Sequence, residues 1–185
     1  MPRVKKTTRQ QLLVERIKEK PFLTDEELAK SLQVSVQTIR LDRLELNIPE
    51  LRERIRRMAE KAQDKVKAIQ SKDVVGELID LELGQKGVSV LRITEDMVFS
   101  KTQIARGHHM FSQANSLAMA VIDSQMAVTG TANVKYKLPV HVGEKLVAKA
   151  EVAQIRGNKY LVNVRTRNDK DEVFQARFIM VSLEK

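Results

Sequence analysis

The sequence predicts an α+β protein in which an antiparallel sheet wraps around one central helix, with a small helical domain in front of it. The stretch Gln103–Met126 carries apolar residues at helical spacing, and runs with strand-like alternation lie on both sides of it. An apolar helix between strands is buried only if those strands enclose it. Two short, capped helical patterns near the N-terminus predict the separate helical domain.

Length and composition are those of a water-soluble globular protein. The chain has 185 residues, of which 42% are hydrophobic and 31% charged, and it contains no cysteine. Disulfides and thiolate zinc sites are therefore excluded. No apolar run reaches the roughly 18 residues of a membrane span, and the N-terminus lacks the apolar core of a signal peptide. We expect a cytoplasmic protein with no membrane partner.

The positive charge of the chain is concentrated in its first part. The net charge is +9, and residues 1–71 hold 17 lysines and arginines against 11 acidic residues. A basic N-terminal part suggests an anionic partner, and nucleic acid is the first candidate. Charge that serves only solubility is an equally good explanation at this point.

Residues 1–47 are predicted to form a helix-turn-helix domain behind a basic arm, residues 1–9. Three polar residues are each placed to cap the helix that follows, namely Thr8, Thr24 and Ser35. The second and third helices are predicted over Asp25–Leu32 and Val36–Leu46. Two short helices joined by a tight turn, after a longer first helix, are typical of DNA-binding domains.

The third helix carries the predicted DNA contacts. These are Ser35, Gln37, Thr38, Arg40 and Arg43. Gln pairs with adenine, Arg pairs with guanine, and hydroxyls suit phosphates. Leu41 and Leu44 are expected to pack inward. The segment VSVQTIRLDRLEL resembles the recognition helix of DeoR-type repressors, whereas the alternative is a three-helix packing module with a solvated polar face.

An amphipathic linker helix is predicted over residues 48–72. Pro49 suits its first turn, and apolar residues then recur at steps of three or four. The apolar positions are Leu51, Ile55, Met58, Ala62, Val66 and Ile69. This stripe needs a partner surface, either in the C-terminal domain or in a second copy of the helix. A static spacer and a mobile connector explain it equally well.

Residues 73–185 are predicted to form a hotdog domain, in which a curled antiparallel sheet surrounds the central helix. Strand patterns cover Glu77–Leu83, Val88–Phe99, Thr129–Lys137, Lys145–Ile155, Lys159–Arg167 and Glu172–Leu183. The last three are joined through Gly157-Asn158 and Asn168-Asp169, which are hairpin turn residues. They are therefore expected to form a meander.

The whole chain resembles one family of bacterial regulators. A DeoR-like helix-turn-helix, an amphipathic linker and a hotdog domain with the signature FxxxxxxRGHHMFxQANSLA are similar to the FapR family, repressors of fatty-acid and phospholipid synthesis. The resemblance implies a homodimer that is released from operator DNA when malonyl-CoA binds, with no further cofactor. It also implies that the effector contacts are Phe99, Arg106, Gly107 and Asn115.

The four implied residues suit an acyl-CoA that ends in a carboxylate. The fork of Arg106 matches a carboxylate through two charge-assisted hydrogen bonds, and Gly107 lets the backbone approach the thioester. Phe99 provides a wall for the acyl end, and Asn115 offers a donor and an acceptor. The adjacent His108 and His109 lack a third ligand, so no metal site is expected.

Two other functions fit parts of the sequence. Many hotdog proteins are acyl-CoA thioesterases or dehydratases, and such an enzyme could carry an appended DNA-binding domain. These reactions generally need a carboxylate beside the central helix, but only Asp123 lies between Met97 and Gly143. A constitutive DNA-binding protein leaves the polar pair Arg106 and Asn115 unexplained. A binding protein, rather than an enzyme, is the favoured interpretation.

Overall fold

The computed structural model describes residues 6–184, which form two compact units. Unit 1 covers Met1–Met58 and unit 2 covers Ala59–Lys185. The boundary falls inside a helix, so the predicted linker segment, residues 48–72, is divided between the units. None of the helices between residues 6 and 184 combines the length and apolar composition that crossing a bilayer requires.

Unit 1 is the predicted helix-turn-helix domain. Its helices are α1 (Lys6–Glu19), α2 (Asp25–Leu32), α3 (Val36–Glu45) and the first part of α4 (Leu51–Gln63). Leu13, Leu28, Ala29 and Ile39 form its buried core, one or two residues from each of the first three helices. So small a core leaves most of each helix surface available for polar contacts or for a partner.

Two of the three predicted caps of unit 1 are confirmed. The Thr24 side chain accepts from the Glu27 amide, the Glu27 carboxylate accepts from the Thr24 amide, and Ser35 caps α3 through the Thr38 amide. The Thr8 cap is wrong, because α1 already includes Lys6. Salt bridges hold this first turn against α3, from Lys6 to Glu45 and from Arg9 to Asp42. Residues 1–5 of the predicted basic arm lie outside the described residues.

The linker helix is shorter than predicted. Helix α4 ends at Gln63, where the Ser71 hydroxyl donates to the Gln63 carbonyl at 2.7 Å. Val66 and Ile69 keep helical spacing in the sequence, but they lie beyond the helix and pack on the core of unit 2. The chain after Gln63 therefore follows the core of the sheet domain and does not continue α4 to residue 72.

Arg54 fixes the beginning of α4 within unit 1. The sequence places it on the solvent face, yet its side chain is buried and donates to three backbone carbonyls. These belong to Pro21, Leu23 and Pro49. Burial lowers the pKa of Arg54 below its ordinary value. The guanidinium therefore acts as a polar staple between α4 and the turn before α2.

Unit 2 is the predicted hotdog domain, and its sheet is antiparallel throughout. The described part of the chain contains six strands in this unit: β1 (Glu77–Glu82), β2 (Lys86–Arg92), β3 (Ala127–Tyr136), β4 (Lys145–Arg156), β5 (Lys159–Arg167) and β6 (Glu172–Ser182). Their spatial order is β1-β2-β4-β5-β6-β3. The predicted meander of the last three strands is confirmed, and β3 returns to lie at the edge beside β6.

The central helix α5 (Gly107–Ala120) lies against the inner face of the sheet. Leu117, Ala118, Val121 and Ile122 are fully buried, as the periodicity predicts. The helix is shorter than the stretch Gln103–Met126, because the chain before it forms bridges between Val98 and Ala105 and between Ile104 and His141. The predicted strand Val88–Phe99 likewise ends early, at Arg92, and a 3-10 turn (Glu95–Met97) follows.

Gly87 allows β2 to approach α5 closely. A β-carbon at this position would lie 2.9 Å from the Val121 Cγ1 atom and 3.1 Å from the Leu117 Cδ1 atom. Both neighbours are fully buried, so neither has room to move away.

We expect Gly87→Ala to destabilise unit 2 by about 1–3 kcal/mol, because the added methyl group overpacks this contact. Urea unfolding followed by circular dichroism measures the change in the free energy of unfolding. Lys86→Ala is the matched control, since the neighbouring side chain is exposed and its loss is expected to change stability by about 0.5 kcal/mol or less. An unchanged unfolding midpoint for Gly87→Ala would contradict the tight packing of β2 on α5.

Candidate functional site

Helix α3 presents some of the predicted DNA contacts at the surface. Gln37 and Arg40 are exposed, and the Arg40 side chain keeps 56% of its surface accessible although it lies 3.7 Å from Asp25. Ser35 and Thr38 lie at the N-terminus of the helix, with their hydroxyls 2.9 Å apart. The N-terminal half of α3 therefore offers amide, guanidinium and hydroxyl groups on one accessible surface.

Arg43 is not exposed, and this part of the sequence prediction is wrong. Its guanidinium pairs with both oxygens of Asp25 at 2.8 and 2.7 Å, and it also donates to the Ile48 carbonyl. The side chain is only 5% accessible. Asp25 begins α2, so this two-bond contact fixes α3 against α2. Leu41 and Leu44, which were expected to pack inward, are exposed instead.

In unit 2, the structure brings Phe99, Arg106 and Gly107 together at the beginning of α5. The Phe99 amide donates to the Ile104 carbonyl, and the Arg106 amide donates to the Met97 carbonyl, both at 2.9 Å. These bonds fold the loop back on itself just before the helix. Phe99 keeps 55% of its surface accessible, so it lines the outside of this loop and is not a core residue.

The Arg106 guanidinium has unused hydrogen-bonding capacity. Its Nη2 atom donates to the Asp96 carbonyl, while its Nε atom is buried and has no hydrogen-bond partner. Arg106 also precedes the first turn of α5, and its side chain makes no capping bond there. A free helix N-terminus carries partial positive charge, which adds to that of the guanidinium. This corner of the domain favours an anion.

A pocket of about 430 Å³ opens next to Arg106. Ala105 and Gly107, the residues on either side of it, both line this pocket, together with Ile104, Met110 and the segment Tyr136–Val140. A β-carbon at Gly107 would lie 2.9 Å from the Tyr136 ring, whose hydroxyl donates to the Gly107 carbonyl at 3.2 Å. The absence of a side chain at Gly107 therefore admits Tyr136, which the sequence analysis did not single out.

Asn115 lies apart from the other three predicted effector residues. It is eight residues after Gly107, so about 12 Å separates the two along the helix axis. Its Oδ1 atom accepts from the Thr129 hydroxyl at 2.7 Å, which ties α5 to the edge strand β3. The structure thus places Phe99, Arg106 and Gly107 in one cluster and Asn115 in a second position further along the helix.

An acidic residue that the sequence analysis did not single out also belongs to the cluster. Asp96 immediately precedes Met97, and it lies beside Arg106 and His109. A hydrogen bond from Thr94 lowers the pKa of Asp96. Burial lowers the pKa of His109, and His108 and Arg106 lower it further. At neutral pH the cluster therefore holds an ionised carboxylate and an uncharged imidazole.

One further polar side chain of α5, Gln113, faces the sheet. Gln113 is fully buried and donates to the Ser89 carbonyl and hydroxyl, while its Oε1 atom has no partner. Its position among apolar residues on the inward face was the signal in the sequence.

The rings of His108 and His109 lie 4.0 Å apart. Between residues 6 and 184, no three histidine, cysteine or acidic side chains converge as metal ligands would.

Comparison with known proteins assigns each unit to a family. A model of the DeoR-like helix-turn-helix domain matches residues 9–59, and a model of the thioesterase superfamily matches residues 103–175. Curated relatives include the transcription factor FapR of Caldanaerobacter subterraneus, 58% identical over 98% of this chain and 91% of that protein. The transcription factor FapR of Bacillus subtilis is 51% identical over 95% of both chains.

The chain belongs to the FapR family of transcription factors. The relatives match both units, including the helix in which the boundary falls, so the assignment does not depend on either domain alone. It confirms the resemblance that the order of domains and the central signature predict.

Solved structures confirm the fold of unit 2. An uncharacterized protein from Pyrococcus horikoshii is 30% identical, with a TM-score of 0.58 over 62% of this chain and 87% of that one. A virulence protein from Campylobacter jejuni has a TM-score of 0.64 at 18% identity, covering 70% and 92% of the two chains. The second likeness is one of fold alone.

Replacing the two arginines of α3 is expected to change different properties, namely stability for Arg43 and DNA affinity for Arg40. We expect Arg43→Ala to cost unit 1 about 3–5 kcal/mol of stability, because Asp25 is left without its buried partner. We expect Arg40→Ala to leave stability within about 0.5 kcal/mol of the parent but to weaken DNA binding by about 1–3 kcal/mol. The measurements are thermal unfolding and binding to a duplex that the parent selects from a random-sequence pool. Parent-like stability of Arg43→Ala would refute its structural role.

Proposed function

We propose that this FapR-family protein is a homodimeric, cytoplasmic repressor of fatty-acid and phospholipid genes that malonyl-CoA releases from operator DNA. Similarity to FapR transcription factors along nearly the whole chain supports a regulator that joins DNA binding to a second activity in unit 2. The exposed Gln37 and Arg40 of α3 supply groups that pair with base edges in the major groove.

The single observation that carries the effector proposal is the state of Arg106. Its Nε atom is buried without a partner, and the residues on either side of it line a pocket. Leaving a buried charged donor unpaired is costly, so the arrangement favours an anionic ligand over an empty site. A carboxylate accepts from Nε and a terminal nitrogen of the guanidinium in one plane, which suits the malonyl end.

Release from DNA requires that malonyl-CoA bind the released state more tightly than the DNA-bound state. Malonyl-CoA differs from acetyl-CoA by its terminal carboxylate, so the partner of that carboxylate supplies the selectivity. A charge-assisted contact of this kind contributes about 1.5–3 kcal/mol, or about one to two decades in affinity. A contact of this size at Arg106 would be enough to distinguish the two ligands.

The edge strand β3 supports the homodimer. Within residues 6–184 it pairs on one side only, with β6, and its other backbone edge meets no strand. Val128 and Tyr136 on this strand, and Met126 just before it, are exposed. A long, partly apolar edge strand favours pairing with another copy of itself. Since Tyr136 also contacts Gly107, such pairing would place the effector pocket beside the interface.

We expect Arg106→Ala to fold and to bind DNA like the parent but to ignore malonyl-CoA. Arg106→Lys should recover little, because an ammonium group cannot present the planar fork. The test is a DNA-binding titration at one fixed salt concentration against malonyl-CoA, acetyl-CoA and free CoA, with a duplex selected from a random-sequence pool. The expected loss of response is about tenfold or more in the malonyl-CoA concentration needed for release.

Arg92→Ala is the matched control for this experiment. Arg92 is an exposed arginine of the same unit that also donates to a backbone carbonyl, that of Gly143, and it lies outside the pocket. Its loss should leave the response to malonyl-CoA unchanged. If the Arg106→Ala protein is released by malonyl-CoA as the parent is, the carboxylate is recognised elsewhere and the effector proposal fails.

An acyl-CoA thioesterase is the second candidate, and the match of residues 103–175 to the thioesterase superfamily favours it. Against it, Asp123 is half exposed, paired with Lys67 at 2.7 Å, and follows the end of α5. Asp96, the carboxylate of the cluster, lies in the 3-10 turn before α5 and not on the helix, and it accepts from the Thr94 hydroxyl. Asn115 occupies the middle of the helix, and its neutral amide cannot take up a proton as a general base must. Malonyl-CoA incubated with the protein should remain intact, whereas steady production of free CoA would establish the enzyme.

A further inference from the structure

Helix α3 contacts the rest of unit 1 on two sides and leaves a third side open. Ile39 enters the core, Asp42 accepts from Arg9 and Gln10 of α1, and Arg43 pairs with Asp25 of α2. Apart from Glu45, which pairs with Lys6 of α1, the exposed residues of α3 recur at steps of three, one and three. They are Gln37, Arg40, Leu41 and Leu44, here called the outer stripe. Such spacing places all four on one face of the helix.

Two of the four residues of the outer stripe are leucines. Leu41 keeps 53% of its surface accessible and Leu44 keeps 72%. Because they are three residues apart, their side chains are neighbours and form one apolar patch on a short helix. Single exposed leucines are ordinary, but a contiguous pair beside polar groups of defined chemistry indicates a binding surface.

The neighbours of the leucines identify the partner. Gln37 and Arg40 are residue types that bond to adenine and guanine in the major groove, and they lie on the same stripe. A leucine offers no hydrogen bond, so its complement in that groove is the C5 methyl group of thymine. From Gln37 to Leu44 the stripe is about 10 Å long, which corresponds to about three base steps.

We propose that Leu41 and Leu44 read thymine methyl groups and thereby set part of the DNA sequence preference. This inference rests on the proposed DNA binding and specifies the bases that the outer stripe recognises. The two leucines exclude water from the methyl groups, while Gln37 and Arg40 bond to neighbouring bases. It also gives a role to the two leucines that α3 leaves exposed.

The test uses a duplex that the parent chain selects from a random-sequence pool, with each thymine replaced in turn by deoxyuridine. This change removes the C5 methyl group and keeps every hydrogen-bonding group of the base. The parent should lose about fourfold in affinity at one or more thymines, the equivalent of one methyl group transferred out of water. In Leu41→Ala or Leu44→Ala, one of these losses should disappear, although the variant binds the thymine duplex more weakly.

Gln37→Ala is the matched control, because it removes a polar member of the same stripe. It should bind the selected duplex more weakly and remain as sensitive to deoxyuridine as the parent. Thermal unfolding checks that each variant is folded, which the exposure of all three side chains leads us to expect.

The outcomes separate this inference from the proposed function. A parent that selects a sequence but binds its thymine and deoxyuridine forms equally refutes methyl recognition and leaves DNA binding intact. A parent that selects no sequence refutes both. The double variant replaces both Leu41 and Leu44 by alanine. If its molecular mass in light scattering differs from that of the parent, and it keeps full sensitivity to deoxyuridine, the patch is a contact between copies and the inference is wrong.

Discussion

Burial of α5 by a single curved sheet is the constraint on which unit 2 depends. Leu117, Ala118, Val121 and Ile122 have no access to solvent, and Gly87 lets β2 approach them. A helix enclosed in this way can present only its ends and one edge to a ligand. Its N-terminus carries Arg106 and lies beside the pocket, so the packing that stabilises the fold also determines where an anion can bind.

Unit 1 differs from unit 2 because its hydrophobic core is small. Two ion pairs add contacts between its helices. Arg9 of α1 pairs with Asp42, and Asp25 of α2 pairs with Arg43, so α3 is held on two sides. Arg54 adds three hydrogen bonds to backbone carbonyls, which attach α4 to the same unit. Because these contacts fix the rotation of α3 about its axis, they decide which side chains face outward. The DNA-binding surface is in this sense a consequence of buried charges.

Local signals in the sequence were sufficient for much of the fold. The caps at Thr24 and Ser35 act within three residues, and the hairpin turns of the last three strands are equally local. Long-range partners were not visible. Arg43 is buried because Asp25, 18 residues earlier, faces it, and no periodicity of α3 distinguishes that arginine from the exposed Arg40.

The same limit applies to the linker and to the effector site. Val66 and Ile69 continue the helical spacing of α4, yet the sheet domain binds them after the helix has ended. In the site, the loop bonds that join Phe99 to Ile104 and Met97 to Arg106 gather residues that the signature only listed in order. Tyr136 lies on β3, 29 residues after Gly107, and no local sequence pattern indicates that these two residues are in contact.

The proposed function requires that one chain couple DNA binding to malonyl-CoA binding. Coupling between two ligands is reciprocal, so each must weaken the other by the same factor. The most direct measurement is calorimetry of malonyl-CoA binding to the parent protein, alone and saturated with its selected duplex. Such coupling predicts that the duplex raises the Kd for malonyl-CoA by the same factor by which malonyl-CoA raises the Kd for the duplex. An equal Kd in both titrations would contradict it.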